Sequence, residues 1–557
     1  MSEERKRDAE RCKTWQLSRH GYLPRTWWLD PSWVAVRLAR RAFHAFARER
    51  TRQARFYVQL NSVITGADVE PDSKIGPGLL LTNPLGVSIW IDAGRDLTFD
   101  ALAGSGNAMR RGKLGGKPTA GDRVTFNAFS GAQGPIELGD DVRLTPGSGA
   151  MHSVAPGQWT RQRVAARIFP PSEAPQAMAT RPQTTEALTR FGFGDTLRDW
   201  RGDIDRVISE AKRFAPDAAP GGLSTALLNQ NIALLIHRVA HVFHCRGLSM
   251  IARGLSGINL WVFKLSLSPG SRIGPGVWLP HLAGTIVHTH AGHGLTAFGQ
   301  SCIMPHGGPF ARNSDVPVLG DRVLVAAHAG VFGPIRIGSG VQLSRKTNAL
   351  DDVPDDTTVL GEAAVFTAGP VFASVSRDTA LYDLPPAGHI RQEDRAARQR
   401  FEAEHGPLPV QSRLAVWLFR RAQRAFATGR LRLARAFWLV SRYLTGADIA
   451  PRSQIAPGMV IVCAPGVHFD GAAGPGLVLV GQCYVGGLSK NPNLVASVQA
   501  TPCLGASITL SPHTIIYGGC TLGENIRIDP GATICGDVPS GSHVAAPKLR
   551  ARRRHTQ

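Results

Sequence analysis

The sequence predicts an α+β protein made of three parallel β-helix domains, each preceded by a helical segment. A turn of the form I-(G/A)-P-G occurs three times, in "KIGPGLLL" from Lys74, "RIGPGVWL" from Arg272 and "QIAPGMVI" from Gln454. After each turn the sequence is β-type, and a small aliphatic residue returns at every sixth position. Before each turn lies a basic stretch whose apolar residues have helical spacing.

The helical segments are predicted by apolar residues that recur at three- and four-residue steps. This spacing places the apolar side chains on one face, which packs against neighbouring elements. A membrane-surface or nucleic-acid role for the Arg-rich outer face is the alternative. The three segments are residues 31–60, 224–263 and 411–444.

The β-type segments are predicted by their six-residue rhythm, which is clearest in "ITLSPH TIIYGG CTLGEN IRIDPG ATICGD" from Ile508. Such a period is typical of a parallel β-helix, in which each aliphatic side chain points inward and stacks on the coil below. Strands this short cannot bury a face alone. The segments must therefore be stacked coils.

The repeating unit is a whole domain. Aligned on the shared turn, Asn83, His281 and Cys463 match one another at separations of 198 and 182 residues. We predict copy 1 in residues 1–169, copy 2 in 224–375 and copy 3, with a basic tail, in 411–557. Residues 170–223 and 376–410 are Pro/Ala-rich or charged, which is typical of linkers or exposed helical insertions.

Composition limits the classes of protein. The 557 residues are 43% hydrophobic and 19% charged, which excludes disorder of the whole chain. The net charge of +21 favours anionic ligands without choosing among them. Eight cysteines without a C-x-x-C pair favour a reducing compartment, and no long apolar run or secretory signal is visible, so we predict a cytoplasmic protein without a transmembrane segment. The tail 550–557 is interpreted as a solvated end, and no specific nucleic acid is predicted.

Each copy resembles serine O-acetyltransferase, a family of hexapeptide-repeat acyltransferases with a helical N-terminal part and a left-handed parallel β-helix. The segments that carry the resemblance are "TGADVEPDSKIGPG" (65–78), "LSLSPGSRIGPGVWLPHLAGTIV" (265–287) and "TGADIAPRSQIAPG" (445–458). They are similar to the family's D-I-H-P-x-A-x-I-G-x-G followed by D-H-x-T-G. The segment "GDVPSGSHVAAP" (536–547) is similar to its V-P-P-x-(S/T)-x-x-x-G-x-P, with Ala in place of Gly. The likeness covers most of the chain except the linkers.

The resemblance implies a catalytic base in copy 2 alone. In the family the histidine of D-H-x-T-G is the general base, and an aspartate fifteen residues earlier orients it. Here the histidine is His281, and Ser266 stands fifteen residues earlier. Copies 1 and 3 keep the aspartate, as Asp68 and Asp448, but have Asn83 and Cys463 at the base position. We predict His281 and Ser266 as catalytic, with possible supporting residues Asp68, Asp448, His288, His290 and His306.

Further departures concern the acceptor. The family's aspartate directly before the histidine is replaced by Thr82, Pro280 and Val462, and a second family histidine by Lys117, Val316 and Thr501. Losses in an acceptor pocket indicate that serine itself need not be the substrate. The predicted reaction moves an acetyl or other acyl group from coenzyme A to a hydroxyl or amine of a small molecule, because neutral imidazole can remove the acceptor's proton near pH 7.

Two other interpretations stay open. His288, His290 and His306 crowd near the base, so a histidine-bound metal enzyme is a second possibility, but no fixed ligand spacing is met and no metal is predicted. His328 and His513 stand where the family has glycine close to coenzyme A, and copy 1 has Phe129 there. Side chains at those positions would either contact the coenzyme or obstruct it. If they obstruct it, the protein is a catalytically degenerate β-helix scaffold or interaction protein.

The number of copies suggests an assembly. Family members are homotrimers with active sites between neighbouring β-helices, so three copies in one chain would form that trimer internally as a pseudo-trimer. Separately encoded sites can then diverge, which would explain why one copy keeps the histidine. Three independent domains, each forming trimers with other chains, are the rival arrangement.

Overall fold

A computed structural model describes residues 3–20, 23–106, 109–110, 113–114, 116–161, 167–169, 192–214, 225–305, 316–360, 365–368, 385–487, 501–545 and 550–553. The chain divides into two compact units. Unit 1 comprises residues 1–174, 362–398 and 414–546, and unit 2 comprises 175–361, 399–413 and 547–557. The β-helices of copies 1 and 3 therefore belong to unit 1 and that of copy 2 to unit 2.

In the part of the chain that the structure describes, each copy begins with three long helices, of which the second and third form a hairpin. A short 3₁₀ turn, Trp27–Leu29, precedes the first hairpin. The helices are α1 (Glu3–His20), α2 (Pro31–Ala47), α3 (Thr51–Thr65), α4 (Phe193–Phe214), α5 (Asn229–Cys245), α6 (Ser249–Phe263), α7 (Ala387–His405), α8 (Val410–Ala427) and α9 (Leu431–Thr445). Helices α4 and α7 lie in the ranges predicted as linkers and are the counterparts of α1.

Local sequence sets where the hairpin helices begin and end. Asp30 caps α2 by accepting a hydrogen bond from the Ser32 amide at 3.0 Å, and Pro31 stands at the first helical position, where its missing N–H costs nothing. Helices α3 and α9 end at glycines with left-handed backbone, Gly66 at φ 78° and Gly446 at φ 73°. The chain then turns directly into the first strand of the β-helix.

The β-helix of copy 1 consists of two-to-four-residue strands that pair in parallel on three faces, as predicted. A small antiparallel pair, Met109–Arg110 with Lys113–Leu114, projects from it. The first face holds Asp68–Val69, Ser88–Ile89, Gly104–Gly106, Gly131–Gln133 and Gly149–Ala150. The second holds Asp92–Ala93, Thr119–Ala120 and Glu137–Leu138. The third holds Leu80–Leu81, Thr98–Phe99, Thr125–Phe126, Arg143–Leu144, Gln158–Arg161 and Val365–Ala368.

Copy 2 repeats these faces within unit 2. The first holds Ser266–Leu267, Ile286–Val287, Cys302–Met304, Gly330–Phe332 and Asn348–Ala349. The second holds His290–Ala291, Val318–Leu319 and Arg336–Ile337. The third holds Thr296–Ala297, Leu324–Val325, Gln342–Leu343, Thr357–Leu360 and Arg550–Arg553.

Copy 3 repeats them again within unit 1. The first face holds Asp448–Ile449, His468–Phe469, Tyr484–Gly486, Ile515–Tyr517 and Thr533–Ile534. The second holds Gln454–Ile455, Ala472–Ala473, Cys503–Leu504 and Thr521–Leu522. The third holds Val460–Ile461, Val478–Leu479, Thr509–Leu510, Arg527–Ile528, His543–Ala545 and Arg167–Phe169.

The core of each β-helix is the column of aliphatic side chains inside the coils. In copy 1 the buried Leu79 and Leu97 stand eighteen residues apart, which is one coil of three hexapeptides. The rings of Phe99 and Phe126 stack across two coils with centroids 4.4 Å apart. The six-residue rhythm is thus the repeat of inward side chains, and burial of this column stabilises strands too short to be stable alone.

Near the end of each copy, one strand pairs antiparallel with the sheet of another copy. Arg167–Phe169, at the end of copy 1, pairs with copy 3, and Val365–Ala368, near the end of copy 2, pairs with copy 1. Arg550–Arg553 in the basic tail pairs with Thr357–Leu360 of copy 2. The interpretation of the tail as a solvated end was therefore wrong for these four residues, because their backbone completes a sheet edge.

A buried Arg–Asp pair fastens the first helix of each copy to the I-(G/A)-P-G turn. In copy 2, Arg238 donates two hydrogen bonds to Asp203 at 2.7 and 2.8 Å and also donates to the carbonyl of Ile273 at 3.1 Å. Asp203 accepts from the Val277 amide at 2.9 Å. The equivalent bidentate pairs are Arg40 with Asp8 and Arg420 with Asp394.

Candidate functional site

His281 lies on a loop of copy 2, four residues beyond the amide that Asp203 holds. Its side chain is half-buried, and its backbone carbonyl accepts a hydrogen bond from Thr285 Oγ1 at 3.1 Å. The imidazole lies beside Phe298 of the next coil, with ring centroids 6.5 Å apart, and Phe298 also contacts Trp278 at 5.7 Å. The imidazole therefore combines an aromatic neighbour with partial access to solvent, as a base that must meet a substrate requires.

Gly299 makes room for His281. A Cβ atom at Gly299 would stand 2.7 Å from the Cβ atom of His281, closer than two carbon atoms can pack. Because Gly299 has no side chain, it leaves room for His281 on the preceding coil.

The first prediction concerns this contact. Gly299→Ala is expected to lower turnover by about ten- to a hundredfold, because the added methyl displaces His281 and a shift of roughly an ångström at a reacting group has an effect of that size. Steady-state kinetics measure it. Gly254→Ala is the control, because nothing stands within 4 Å of that position and alanine suits a helix. Equal turnover for both variants would show that His281 is not positioned by Gly299.

Ser266 is buried in the first strand of copy 2. Its amide donates to the carbonyl of Thr285 at 3.0 Å, and Thr285 in turn donates to the carbonyl of His281. Two residues earlier, Lys264 occupies the left-handed position that glycine holds in the other copies, at φ 55°. Its Nζ donates to the carbonyl of Trp261 at 2.7 Å, and burial lowers the pKa of Lys264 to about 8.

At the equivalent place in unit 1, a base position and an aspartate position meet from two different copies. Asn83 Nδ2 of copy 1 donates to Asp448 Oδ2 of copy 3 at 3.2 Å. The indole of Trp438 donates to the other oxygen of Asp448 at 2.8 Å, and His468 Nδ1 lies 3.3 Å from the carboxylate. Asp448 is only 1% exposed. The base position of copy 1 therefore holds the amide side chain of Asn83. This amide is bonded to the Asp448 carboxylate, which also has other partners, and an amide is not a base.

Buried charges surround this contact. Arg442 of copy 3 donates to Asp30 of copy 1 at 3.1 Å, and Arg435 lies 3.7 Å from the same carboxylate. All three side chains are at most 4% exposed. A buried carboxylate needs such partners, because an unpaired charge away from water is strongly destabilising. The contact between copies 1 and 3 thus serves as a structural joint.

Two further histidines that follow His281 in copy 2, His288 and His290, are among the described residues. His288 is buried, and His290 Nδ1 accepts from the Arg272 amide at 3.3 Å. Burial, with Arg272 nearby, lowers the pKa of His290 below its ordinary value. His306 lies outside the described residues. Within the described ranges, no group of three His, Cys, Asp or Glu residues is arranged to hold a metal ion.

His328 of copy 2 and His513 of copy 3 occupy equivalent corners of their coils, with left-handed backbone at φ 58° and 61°. Phe129 of copy 1 has the same conformation at φ 57°. In unit 1 the ring of Phe129 contacts His513 edge-on at 6.3 Å, and His513 Nε2 lies 2.7 Å from Gln482 Oε1. Both histidines are buried. Their contact with coenzyme A stays a prediction.

Several residues around the base were not identified from the sequence. Gly299, Phe298 and Trp278 were missed because their role comes from contacts between coils. The Arg–Asp pairs were missed for a similar reason: Asp203 and Asp394 lie in the ranges predicted as linkers. A signal was present, since an Arg in each hairpin and an Asp 26–35 residues earlier occur in all three copies.

Comparison with known proteins gives one consistent result. No family model matches the chain. Serine acetyltransferase of Helicobacter pylori is 33% identical over 175 residues, which are 30% of this chain and 96% of that protein. Serine acetyltransferase of Mycobacterium tuberculosis is 30% identical over 172 residues, 30% of this chain and 70% of that protein. The crystal structure of the Neisseria gonorrhoeae enzyme is 24% identical with a TM-score of 0.28, over 31% of this chain and 67% of that chain.

Proposed function

Because the chain belongs to the serine acetyltransferase family, we propose that it transfers an acetyl or other acyl group from coenzyme A to a hydroxyl or amine of a small molecule, with His281 as the general base. The observation that supports the proposal is that His281 aligns with the family's base position and has a half-buried side chain beside Phe298 and next to Gly299. Copies 1 and 3 have Asn83 and Cys463 there, neither of which is a base near pH 7.

In the proposed reaction the acceptor's O–H or N–H proton passes to the imidazole of His281 as the acceptor attacks the thioester carbonyl. The oxygen of the tetrahedral intermediate carries the negative charge, which backbone N–H groups can stabilise. The C–S bond then breaks, and the imidazolium returns the proton to the leaving thiolate of coenzyme A. Holding both substrates in one site makes the attack effectively unimolecular.

The acceptor is proposed to differ from serine. Pro280 stands where the family has an aspartate, and Val316 where it has a second histidine. Neither side chain can form an ion pair with the amino or carboxylate group of an amino acid. A less polar hydroxyl or amine compound suits this pocket better.

Ser266 is proposed to support His281 from within copy 2. Its amide donates to the carbonyl of Thr285, and the Thr285 hydroxyl donates to the carbonyl of His281. Ser266 stands fifteen residues before His281, where the family has the aspartate that orients the base.

The second prediction concerns the aspartates of copies 1 and 3, whose base positions hold Asn83 and Cys463. Asp68→Asn and Asp448→Asn are each expected to leave turnover within about threefold, because the proposed base lies in copy 2. Asp448→Asn is also expected to lower the melting temperature, because Asp448 holds the structural joint. Kinetics and thermal melts on both variants measure these effects, and a loss of turnover above about tenfold in a folded variant would contradict the assignment.

The function itself is tested by calorimetry with acetyl-CoA, followed by a thiol-release assay with a panel of alcohols and amines. Binding with release of free coenzyme A supports the proposal. No heat with any acyl-CoA would instead favour the scaffold, the alternative supported by the joint between copies 1 and 3 and by the buried His513.

The three copies are further proposed to replace the three subunits of a trimeric relative, as a pseudo-trimer in one chain. Light scattering is then expected to give the mass of one chain or of two chains, and a trimer of chains would contradict this. A cytoplasmic location is also proposed, because a long chain with eight cysteines and no C-x-x-C pair suits a reducing compartment.

A further inference from the structure

Each helical hairpin ends in a tip with exposed apolar side chains. We define the hairpin tips as residues 46–56, 246–253 and 424–433. The large apolar residues there and their exposed fractions are Phe46 (40%), Phe56 (60%), Leu248 (46%), Met250 (81%), Ile251 (48%), Phe426 (40%), Leu431 (38%) and Leu433 (44%). Exposed apolar groups that recur at one structural position mark an interaction surface more strongly than scattered ones do.

The same hairpins are strongly basic. Residues 410–445 contain eight Arg and no Asp, Glu or Lys, and 229–263 contain three Arg and no acidic residue. Residues 31–65 contain seven Arg and one acidic residue, Glu49. Some of these arginines form the buried pairs described above, but Arg424, Arg430 and Arg432 in the third tip are exposed, as are Arg48, Arg50 and Arg52 in the first.

The combination of charge and apolar side chains discriminates among partners. The phosphates of a nucleic acid would bind the arginines, but the exposed apolar side chains of Met250, Ile251 and Leu433 would not contribute to that binding. A second copy of the chain would bring two cationic surfaces together, which repel. An anionic phospholipid surface accepts both, because its headgroups bind arginine and its interface accepts apolar side chains.

We propose that the hairpin tips bind the surface of an anionic phospholipid membrane, with their apolar side chains at the boundary between headgroups and acyl chains and their arginines on lipid phosphates. This surface is separate from His281 and would operate whatever acceptor the protein acylates. The described helices include none that is long and apolar enough to cross a bilayer. The proposed attachment is accordingly peripheral.

The test is co-sedimentation of the full chain with vesicles of phosphatidylcholine alone or mixed with phosphatidylglycerol. Binding is expected only to the mixed vesicles, weakened at least about tenfold when ionic strength rises from low to about 0.5 M, since salt screens the arginine–phosphate attraction. Met250→Ser with Ile251→Ser, and Leu431→Ser with Leu433→Ser, are each expected to weaken binding about tenfold. Met151→Ser, 48% exposed on the β-helix of copy 1, is the control and should bind like the parent.

Arg430→Gln with Arg432→Gln provides a second variant that tests charge without touching apolar residues, and thermal melts show that each variant folds. Equal binding to both vesicle types, or to neither, overturns the proposal. So does self-association that the serine variants abolish, which would make the tips an interface between chains. Retention of an unrelated RNA but not of vesicles would assign the tips to nucleic acid instead.

Discussion

Replacing His281 by alanine is expected to lower turnover by about 10²–10⁴-fold, the usual effect of losing a positioned general base. The remaining activity would come from binding and alignment of the two substrates. Because His281 is half-buried and lies on a loop, the melting temperature and the affinity for acyl-CoA should stay close to those of the parent. Thiol-release kinetics, thermal melts and calorimetry measure the three quantities.

His293→Ala is the matched control for this variant. His293 lies in the same copy but is exposed, and its amide, which the substitution keeps, makes the hydrogen bond to Asp321 at 2.8 Å. It should retain full activity. If His281→Ala also retains full activity, His281 is not the general base and the proposed mechanism is wrong.

Replacing Arg238 by alanine is expected to lower the free energy of unfolding by about 3–5 kcal/mol, because Asp203 would be left as an unpaired buried charge. Arg238 is 4% exposed and Asp203 fully buried. The same change removes the hydrogen bond to the Ile273 carbonyl in the turn that leads to His281. Urea denaturation monitored by circular dichroism measures the loss, and turnover should fall with it.

A surface ion pair provides the control. Arg123 and Asp141 form a bidentate contact at 2.7 and 2.8 Å, but both side chains are more than 40% exposed and solvated. Arg123→Ala should leave the unfolding transition close to that of the parent, because exposed pairs contribute little. If both arginine variants unfold alike, the Arg238–Asp203 pair does not fasten α4 to the β-helix.

The sequence predicted the helical segments because apolar spacing is a local property. It did not predict that each segment breaks in the middle: residues 31–60 became α2 and α3, with Glu49 at φ 60° between them. The polar run 48–53 marks this break, but such a run also occurs on the exposed face of a continuous helix. Helix α4 lies in a range that the sequence left as a linker or an exposed helical insertion, because its contacts with α5, such as Asp203 with Arg238, join residues 35 positions apart.

By itself the sequence determined the six-residue repeat of the coils, the number of copies of the motif and the residue of each copy that aligns with the family's base. All of these follow from regular spacing along the chain. Only the tertiary structure decided which side chains meet at those positions. Asn83 contacts Asp448 across 365 residues, and Gly299 contacts His281 across a full coil. A local pattern predicts on which face of an element a side chain lies. A contact between distant segments depends instead on how their backbones pack, and that packing results from many weak interactions distributed over the chain.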